Sequence, residues 1–591
     1  MDAGLLRQLS DLVRYAVMHD IRDGSIATCA PDYRRILNDI HLHDTIPFPR
    51  DAEAVMKRLV DGHSLDLARD LAWMTARVGS SVMASNHKQL DPRLLTDPGP
   101  AVSELFSHIQ FSTSAPPEGF LADSVDPASG FAPFQFDGIQ TAFFRRPEDM
   151  GEPWASFIGP HWQGGMGLIV FQHPESGATG MIFVHTLARV PWSKPKPNRW
   201  QTSGGTMAFP LRKFPFPVVL EKTVDKGVAM TWKWRAGQRL FDRAGIRKII
   251  GLGGSKGLIL YPEGTDGQTK GLDIYAKVLR RFGITLTGCD EGLTPTMADY
   301  LAERAQFNIY GSQKSAYKGR NPTFYTAAGI DAVMARMQDD RYGDDHRPIL
   351  MVGCGGIGRA LREHLSLRER EVAGIVDVER NTLIGAQQGE LGALSLFVGE
   401  AEVSRTPAAI GDPFHHLREG KRRAPSTYLA DLGRFMAYGM YSDRDLAAVI
   451  RRPQYKEAVL SANGTIHPLT FAVAEAMIDA GIHLEVGAAN NVLGLDPDGS
   501  PDLIDWILRA AGTDVAPDFV VNQMGALAVS SGAMGHTNHD MRLLVDALPD
   551  EVAELCSRET GLEPPSVKTV KRAQADWRAM KDPGSAVGGD L

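Results

Sequence analysis

Apolar positions in the first 80 residues recur at helical intervals. Leu5, Leu9, Leu12, Val13, Ala16 and Val17 make one stripe, Val55, Met56, Leu59 and Val60 a second, and Leu67, Leu71, Met74 and Val78 a third. Spacings of three and four place such side chains on one helix face. Residues 1–150 are therefore expected to be mainly helical, ending in a loop-rich stretch over 91–153, where prolines and glycines multiply. Near Gly167 the pattern changes. The short apolar runs 168–171 and 181–184 flank a turn at 173–177 and predict a β-hairpin. Residues 191–199 read as a basic, proline-rich loop and 218–233 as a helix, with strands at 257–260 and 284–287. From Ile349 the order is strand 349–352, helix 358–367, strand 372–376, with later buried strands at 484–486 and 519–521. Alternating strands and helices predict an α/β fold.

Composition narrows the class. The 591 residues suggest several domains, and 43% hydrophobic with 23% charged residues is ordinary for a globular protein. A net charge of −8 argues against a nucleic-acid partner, because phosphate binding needs a basic surface. Cys29, Cys289, Cys354 and Cys556 are scattered and form no CxxC, which suggests a reducing compartment. With no long apolar run and no signal-peptide core, the expectation is a cytoplasmic protein that meets no membrane. The pairs His536-x-x-His539, His41-x-His43 and His415-His416 have no third ligand at suitable spacing, so no metal is expected.

Two motifs carry chemistry. Gly353-Cys-Gly355-Gly356-Ile357-Gly358 follows an apolar strand and opens a helix. In that setting Gly353 permits a tight turn, Gly355 lets a pyrophosphate approach the helix N-terminus, and Gly358 lets helix and strand pack closely. Asp377 lies 19 residues after Gly358. A carboxylate there accepts from a ribose 2′-hydroxyl and repels a 2′-phosphate, which favours NAD over NADP, although Arg380 stands nearby. The second motif is Gly251-Leu-Gly-Gly-Ser-Lys256-Gly, between Met230-Thr-Trp-Lys233 and Thr287-Gly-Cys-Asp290-Glu. Desolvation and neighbouring positive charge can turn Lys256 into a base. Lys233 can hold a carboxylate as a point charge. Each also has a plainer reading: a solvated lysine at a helix end, and an aspartate in a turn.

Together these segments resemble the glutamate/leucine/phenylalanine/valine dehydrogenase superfamily, nearest its leucine/phenylalanine branch. The resemblance runs over about residues 166–535 and includes Ser203-Gly-Gly205-Thr-Met, Asn321-Pro-Thr-Phe-Tyr-Thr326-Ala-Ala-Gly, Ala489-Asn490-Asn491 and Ala516-Pro-Asp-Phe-Val-Val-Asn522. It implies an N-terminal extension over 1–150, a substrate domain with a mixed sheet over 151–335, a Rossmann domain over 336–540, and C-terminal helices with a flexible tail over 541–591. The stretch 321–338 would link the two central domains as a hinge. The resemblance makes Lys256 the catalytic base, Asp290 the proton shuttle, and Lys233 the α-carboxylate clamp. Gly205, Met230, Gly288, Asn491, Ala526 and Val529 are implied at the substrate. Thr326, Ala462, Asn463, Asn490 and Asn522 are implied at the cofactor beside the glycine motif and Asp377. The implied activity is NAD-dependent oxidative deamination of an L-amino acid to its 2-oxo acid and ammonia, in a homo-oligomer.

Gly288, Ala526 and Val529 are small or apolar, so the implied substrate is a large apolar or aromatic amino acid. Glutamate is the alternative, and so is a catalytically weakened member serving as a metabolite sensor or partner-binding protein. An imine reductase or hydroxy-acid dehydrogenase leaves Lys256 and Asp290 unexplained. Two departures stand out. Lys233 and Lys256 are 23 residues apart, so 235–247 is expected to loop out, and Lys248 becomes a rival clamp. Asn522 is followed by Gln523-Met524-Gly525, where the family has smaller residues.

Overall fold

The computed structural model describes residues 69, 72, 73, 76, 97–115, 133–186, 200–211, 216–246, 253–285, 288–305, 322–353, 356–377, 396–397, 436–439, 443–464, 468–490, 492–493, 502–533, 536–558 and 563–581. The helical stripes expected before residue 67, the loop at 191–199 and the tail after 581 lie outside them. Two compact units result. One takes 90–325 with 523–547 and 573–591, and the other takes 326–522 with 1–89 and 548–572. Among the described residues, no helix is long and apolar enough to cross a membrane.

The first unit is built on a nine-stranded mixed sheet. Its strands are β1 (Phe134–Phe136), β2 (Ile139–Phe144), β3 (Gly167–His173), β4 (Ala178–Val184), β5 (Trp200–Ser203), β6 (Gly205–Pro210), β7 (Gly253–Tyr261), β8 (Ile284–Thr285) and β9 (Gly288–Cys289). β3 and β4 form the expected hairpin, with Leu168 opposite Phe183 and Val170 opposite Met181. β4 continues antiparallel onto β7, and β6 runs parallel between β7 and β9. Successive side chains of a strand point to opposite faces. Leu168, Val170, Met181, Phe183, Leu258 and Leu260 pack with helices α1 (Pro98–Phe106), α2 (Trp154–Trp162) and α3 (Phe216–Arg243). Ile169, Phe171, Ile182, Ile259 and Tyr261 pack on the other face against α4 (Thr265–Phe282) and α5 (Pro295–Ala305). With both faces covered, the strands read as unbroken apolar runs.

Two expectations fail here. The stretch 91–153 is not simply loop, because it supplies α1, β1 and β2. Residues 235–243 do not loop out, because α3 runs for 28 residues to Arg243. No proline or glycine pair breaks the apolar rhythm until Gly245, whose φ is +66°.

The second unit holds a seven-stranded sheet in the order β12-β13-β11-β10-β14-β15-β16. These are β10 (Ile349–Val352), β11 (Val372–Asp377), β12 (Leu396–Phe397), β13 (Met436–Gly439), β14 (Val459–Ala462), β15 (Leu484–Glu485) and β16 (Asp514–Val515). All neighbours are parallel except β12, an antiparallel edge. Without that edge the order is 3-2-1-4-5-6, the doubly wound dinucleotide-binding arrangement, with its switch point between β10 and β14. Helix α6 (Pro322–Tyr342) occupies the stretch expected as a hinge, and α7 (Gly356–Leu367) follows the glycine motif. Ala72 and Ala76 from the N-terminal region are fully buried in this unit's core, and Trp73 Nε1 donates to Asp479 at 2.8 Å.

Residues 519–521 are not a strand. They belong to the short helix Asp518–Val521, in which Asp518 Oδ1 accepts the Phe519 N–H at 2.6 Å. An apolar run of three residues has no period long enough to tell strand from helix.

Candidate active site

Lys256 lies on β7 two residues before Leu258, so strand alternation turns it toward α3. It is 2% exposed. Asp290 comes from the turn after β9, where Gly205 pairs with Gly288 and the Asp290 N–H donates to Thr206 O at 3.1 Å. Asp290 Oδ1 accepts the N–H of Glu291 at 2.7 Å, and its other oxygen bonds Lys256 Nζ. The two residues read from the motifs as base and proton shuttle are thus in direct contact.

The lysine that completes this pair is one the motifs did not single out. Lys226 Nζ lies 3.5 Å from Asp290 Oδ1 and 3.6 Å from Glu291 Oε2, and Lys222 pairs with Glu291. Lys222, Lys226 and Lys233 follow one another along α3 at intervals of four and seven, hence on one face. All three are buried. Lys233 adds its charge to the field at Lys256, but the carboxylate of Asp290 is met by Lys226. Lys248 lies outside the described residues. The run Glu221-Lys-Thr-Val-Asp225-Lys looks like a solvated helical surface in sequence. Only the distant pairing of β6 with β9 reveals that half of it faces an aspartate.

Burial drives the Lys256 ammonium well below the ordinary lysine range. The charges of Lys226, Lys233 and Lys222 push the same way, and Glu291 opposes them. Lys226 is lowered too, mainly by burial and against the pull of Glu291. The strand carrying Lys256 is tied to α3 by hydroxyls. Thr186 Oγ1 accepts the Gly254 N–H at 2.7 Å and meets Thr231 Oγ1 at 3.1 Å, and His185 Nδ1 meets Thr231 Oγ1 at 2.7 Å. His185 is held neutral by burial, which lowers its pKa.

Gly205 stands against Asp290 for lack of a side chain. A Cβ there would fall 2.7 Å from Asp290 Cβ. Met230 and Gly288 belong to α3 and β9 and are partly buried. Ala526 and Val529 lie on the helix Met524–Ala533, and Asn491 lies outside the described residues.

No family model matches the sequence, and no curated protein is similar to it. Several solved structures are similar in fold. L-tryptophan dehydrogenase from Nostoc punctiforme is 15% identical, with 71% of this chain and 97% of that one covered and a TM-score of 0.42. Hetero-hexameric glutamate dehydrogenase from Thermus thermophilus in a leucine-bound form is 15% identical over 74% and 89%, at 0.45. Glutamate dehydrogenase from Plasmodium falciparum is 12% identical over 74% and 88%, at 0.48.

The second unit brings the nucleotide-motif residues to the C-terminal ends of β10 and β14. Gly353 has φ +90°, and a Cβ on it would lie 2.5 Å from Gly464 N; one on Gly358 would lie 2.3 Å from Gly353 O. These close approaches bring Gly353, Gly358 and Gly464 together at the N-terminus of α7, where Gly356 is exposed and Ile357 half-buried. That geometry fits a pyrophosphate. Gly355 lies outside the described residues, and Asp377 is placed as the last residue of β11. Asn463 follows Ala462 at the end of β14. Its Nδ2 donates to Ser461 O at 2.9 Å and its Oδ1 accepts from Ala488 N–H at 3.1 Å. Asn522 Nδ2 donates to Ala488 O at 2.9 Å and Asn490 Oδ1 at 3.0 Å, leaving Asn522 Oδ1 buried without a partner. Thr326 is buried in the first turn of α6.

One further cluster escaped the sequence reading, since its members are 60 residues apart. His161 on α2 and Glu221 and Asp225 on α3 offer ligand atoms within 4.8 Å of one another. His161 Nδ1 meets Asp225 Oδ1 at 2.8 Å. This donor set suits a divalent ion, and the same atoms also satisfy one another as an ion pair.

Proposed function

We propose that the chain is an NAD-dependent L-amino acid dehydrogenase that deaminates its substrate to the 2-oxo acid and ammonia. The observation that carries this is the buried contact of Lys256 with Asp290, with Lys226 on the same carboxylate. Lys226 takes the substrate α-carboxylate, the role the family resemblance implies for Lys233. Lys256, kept from holding its proton by burial and by its lysine neighbours, accepts at Nζ a proton from the water that adds to Cα. Asp290, bonded to that nitrogen, passes the proton to the departing amine. NAD, when bound, supplies the two-electron acceptor for the Cα hydride. Gly353, Gly356 and Gly358 would hold its pyrophosphate, and Asp377 at the end of β11 supports NAD over NADP.

The site allows a second reading of the substrate. With Lys256 neutral, Lys222, Lys226 and Lys233 exceed Asp290 and Glu291 by one positive charge, which matches one α-carboxylate, and a proton on Lys256 raises the excess to two, which leaves a charge for a second. An amino acid with a second carboxylate therefore stands beside the large apolar one expected from Gly288, Ala526 and Val529. NADH absorbance with a panel of amino acids tests both points. Lys256→Ala and Asp290→Ala are expected to abolish turnover while NAD binding survives. Undiminished turnover in either variant refutes the assignment, and strict preference for leucine or phenylalanine refutes the second carboxylate.

A further inference from the structure

Helices α2 and α3 meet on a different side of α3 from the one that meets Asp290. Trp154 and Phe216 pack edge to face there at 4.7 Å, and Ile158, Trp162, Val224 and Val228 belong to the same apolar core. Three polar side chains enter this seam. Glu221 and Asp225 are four residues apart, so they share one face of α3. His161 comes from the last turn of α2, its ring 6.1 Å from that of Phe157. Each offers a ligand atom, and those atoms lie within 4.8 Å of one another. His161 Nδ1 and Asp225 Oδ1 are 2.8 Å apart, on side chains only 5% and 7% exposed.

Charge and spacing both fit a cation. Among themselves, two carboxylates and one imidazole keep a net negative charge even with His161 protonated, and buried charge is costly. A divalent ion with a neutral imidazole brings the sum to zero. Lys222 and Lys226, next to the two acids in sequence, are turned to Glu291 and Asp290 instead. Ligands bonded to one ion at about 2.0–2.2 Å stand about 3.0–3.6 Å apart. The His161–Asp225 pair is close to that spacing, and Glu221, half-buried on a longer side chain, can close the rest. Val218, one turn before Glu221, is 41% exposed, and Pro160 beside His161 is exposed, so solvent reaches the seam without the core opening.

We propose that His161, Glu221 and Asp225 form a divalent-cation site that clips α2 to α3. One imidazole nitrogen with two carboxylate oxygens suits Zn²⁺ over Mg²⁺ or Ca²⁺, which take oxygen shells. The ion replaces the proton held between Nδ1 and Oδ1, which passes to solvent, and water completes the shell on the Glu221 side. Its role is structural: it fixes the rotation of α3 and with it the direction of Lys222 and Lys226. None of this depends on the dehydrogenase reading.

The full-length chain is stripped with EDTA, dialysed free of chelator, and titrated calorimetrically with Zn²⁺ and with Mg²⁺, with thermal melts before and after. The parent is expected to take up one Zn²⁺ at least about 10-fold more tightly than Mg²⁺. It should melt a few degrees higher once free Zn²⁺ is about 100 times Kd. Asp225→Asn and His161→Gln hold the size and remove a ligand, so each should weaken Zn²⁺ by about 100-fold or more, beyond what outer-shell changes cost. Glu221→Gln, at the half-buried position, decides the matter if either of these fails to fold. Each protein is compared with itself with and without Zn²⁺, so a variant that is merely less stable still shows the metal-dependent rise in Tm. No uptake by the parent, or undiminished affinity in any folded variant, as binding by histidines elsewhere in the chain would give, overturns the proposal.

Discussion

Replacing Gly205 by alanine tests the site at its tightest point. The new Cβ would sit 2.7 Å from Asp290 Cβ, 3.0 Å from Oδ2 and 3.3 Å from Cγ. Carbon atoms rest at about 3.5–4.0 Å, so the aspartate must retreat by about 1 Å. Neither side yields easily. Gly205 is paired with Gly288 in the β6–β9 ladder, and the Asp290 backbone is bonded to Thr206. Overpacking of this kind costs about 1–3 kcal/mol. Misplacing a catalytic group by about 1 Å costs about 100-fold in rate. The expected result is a loss of that order in kcat with a modest fall in Tm, read from initial rates of NADH formation and a thermal melt. Gly159→Ala on α2 is the control. Its Cβ meets nothing within 4 Å, so the rate should hold and stability should rise by about 0.5–1 kcal/mol. Wild-type kcat in Gly205→Ala would show that Asp290 need not stand against Lys256, and the proton path through it would fall.

Three more outcomes follow from the same geometry. Lys256 has its folded-state pKa depressed from 10.5, so below that pH folding must give up or bury the proton that the unfolded chain holds, and above it the cost is gone. Lys256→Met should therefore be inactive yet melt higher than the parent at pH 7, with the gain closing near pH 10.5; a lower Tm at pH 7 refutes this. Glu485 is fully buried in the second unit, with Oε1 accepting from Ala462 N–H at 3.3 Å and burial pushing its carboxyl far above 4.5. Its penalty grows as pH rises above that value, so Glu485→Gln should raise Tm more at pH 8 than at pH 5, and an equal change at both would count against a neutral Glu485. Gly353→Ala collides with Gly464 and strains φ +90°, so NADH fluorescence titration should show lost binding and the melt a lower Tm. Intact binding would remove these glycines from the nucleotide site.

What could be read in advance was local. The β3–β4 hairpin, the strand Ile349–Val352 and the turn at Gly353 each sit within a dozen residues of their own signals, and all stand where the pattern puts them. Lys256 and Asp290 were legible as motifs, but their contact depends on β6 joining β7 to β9, which no short window contains. Lys226 was hidden because acids and lysines alternate around it, the usual mark of a wet helix surface. The length of α3 was misjudged for a different reason. The family spacing called for a loop after Lys233, whereas Trp234, Ala236, Leu240 and Phe241 continue an apolar stripe that the core accepts. Gln523 stood out in sequence only by its size after Asn522; that both polar atoms of its amide are buried is visible only in the fold.

Helix α3 sorts its charges by side. Glu221 and Asp225 look toward His161, while Lys222 and Lys226 look toward Glu291 and Asp290. Each residue added to or removed from an α-helix rotates everything beyond it by about 100°. A one-residue insertion between Lys226 and Lys233 would carry Lys233 off the catalytic face while leaving the earlier pairs intact. One placed before Glu221 would set acid against acid, and a one-residue deletion there would set lysine against imidazole. The chain can therefore change sequence along this helix far more readily than it can change length, and length variation in proteins of this design should collect after Arg243, where the helix has ended and the count no longer matters.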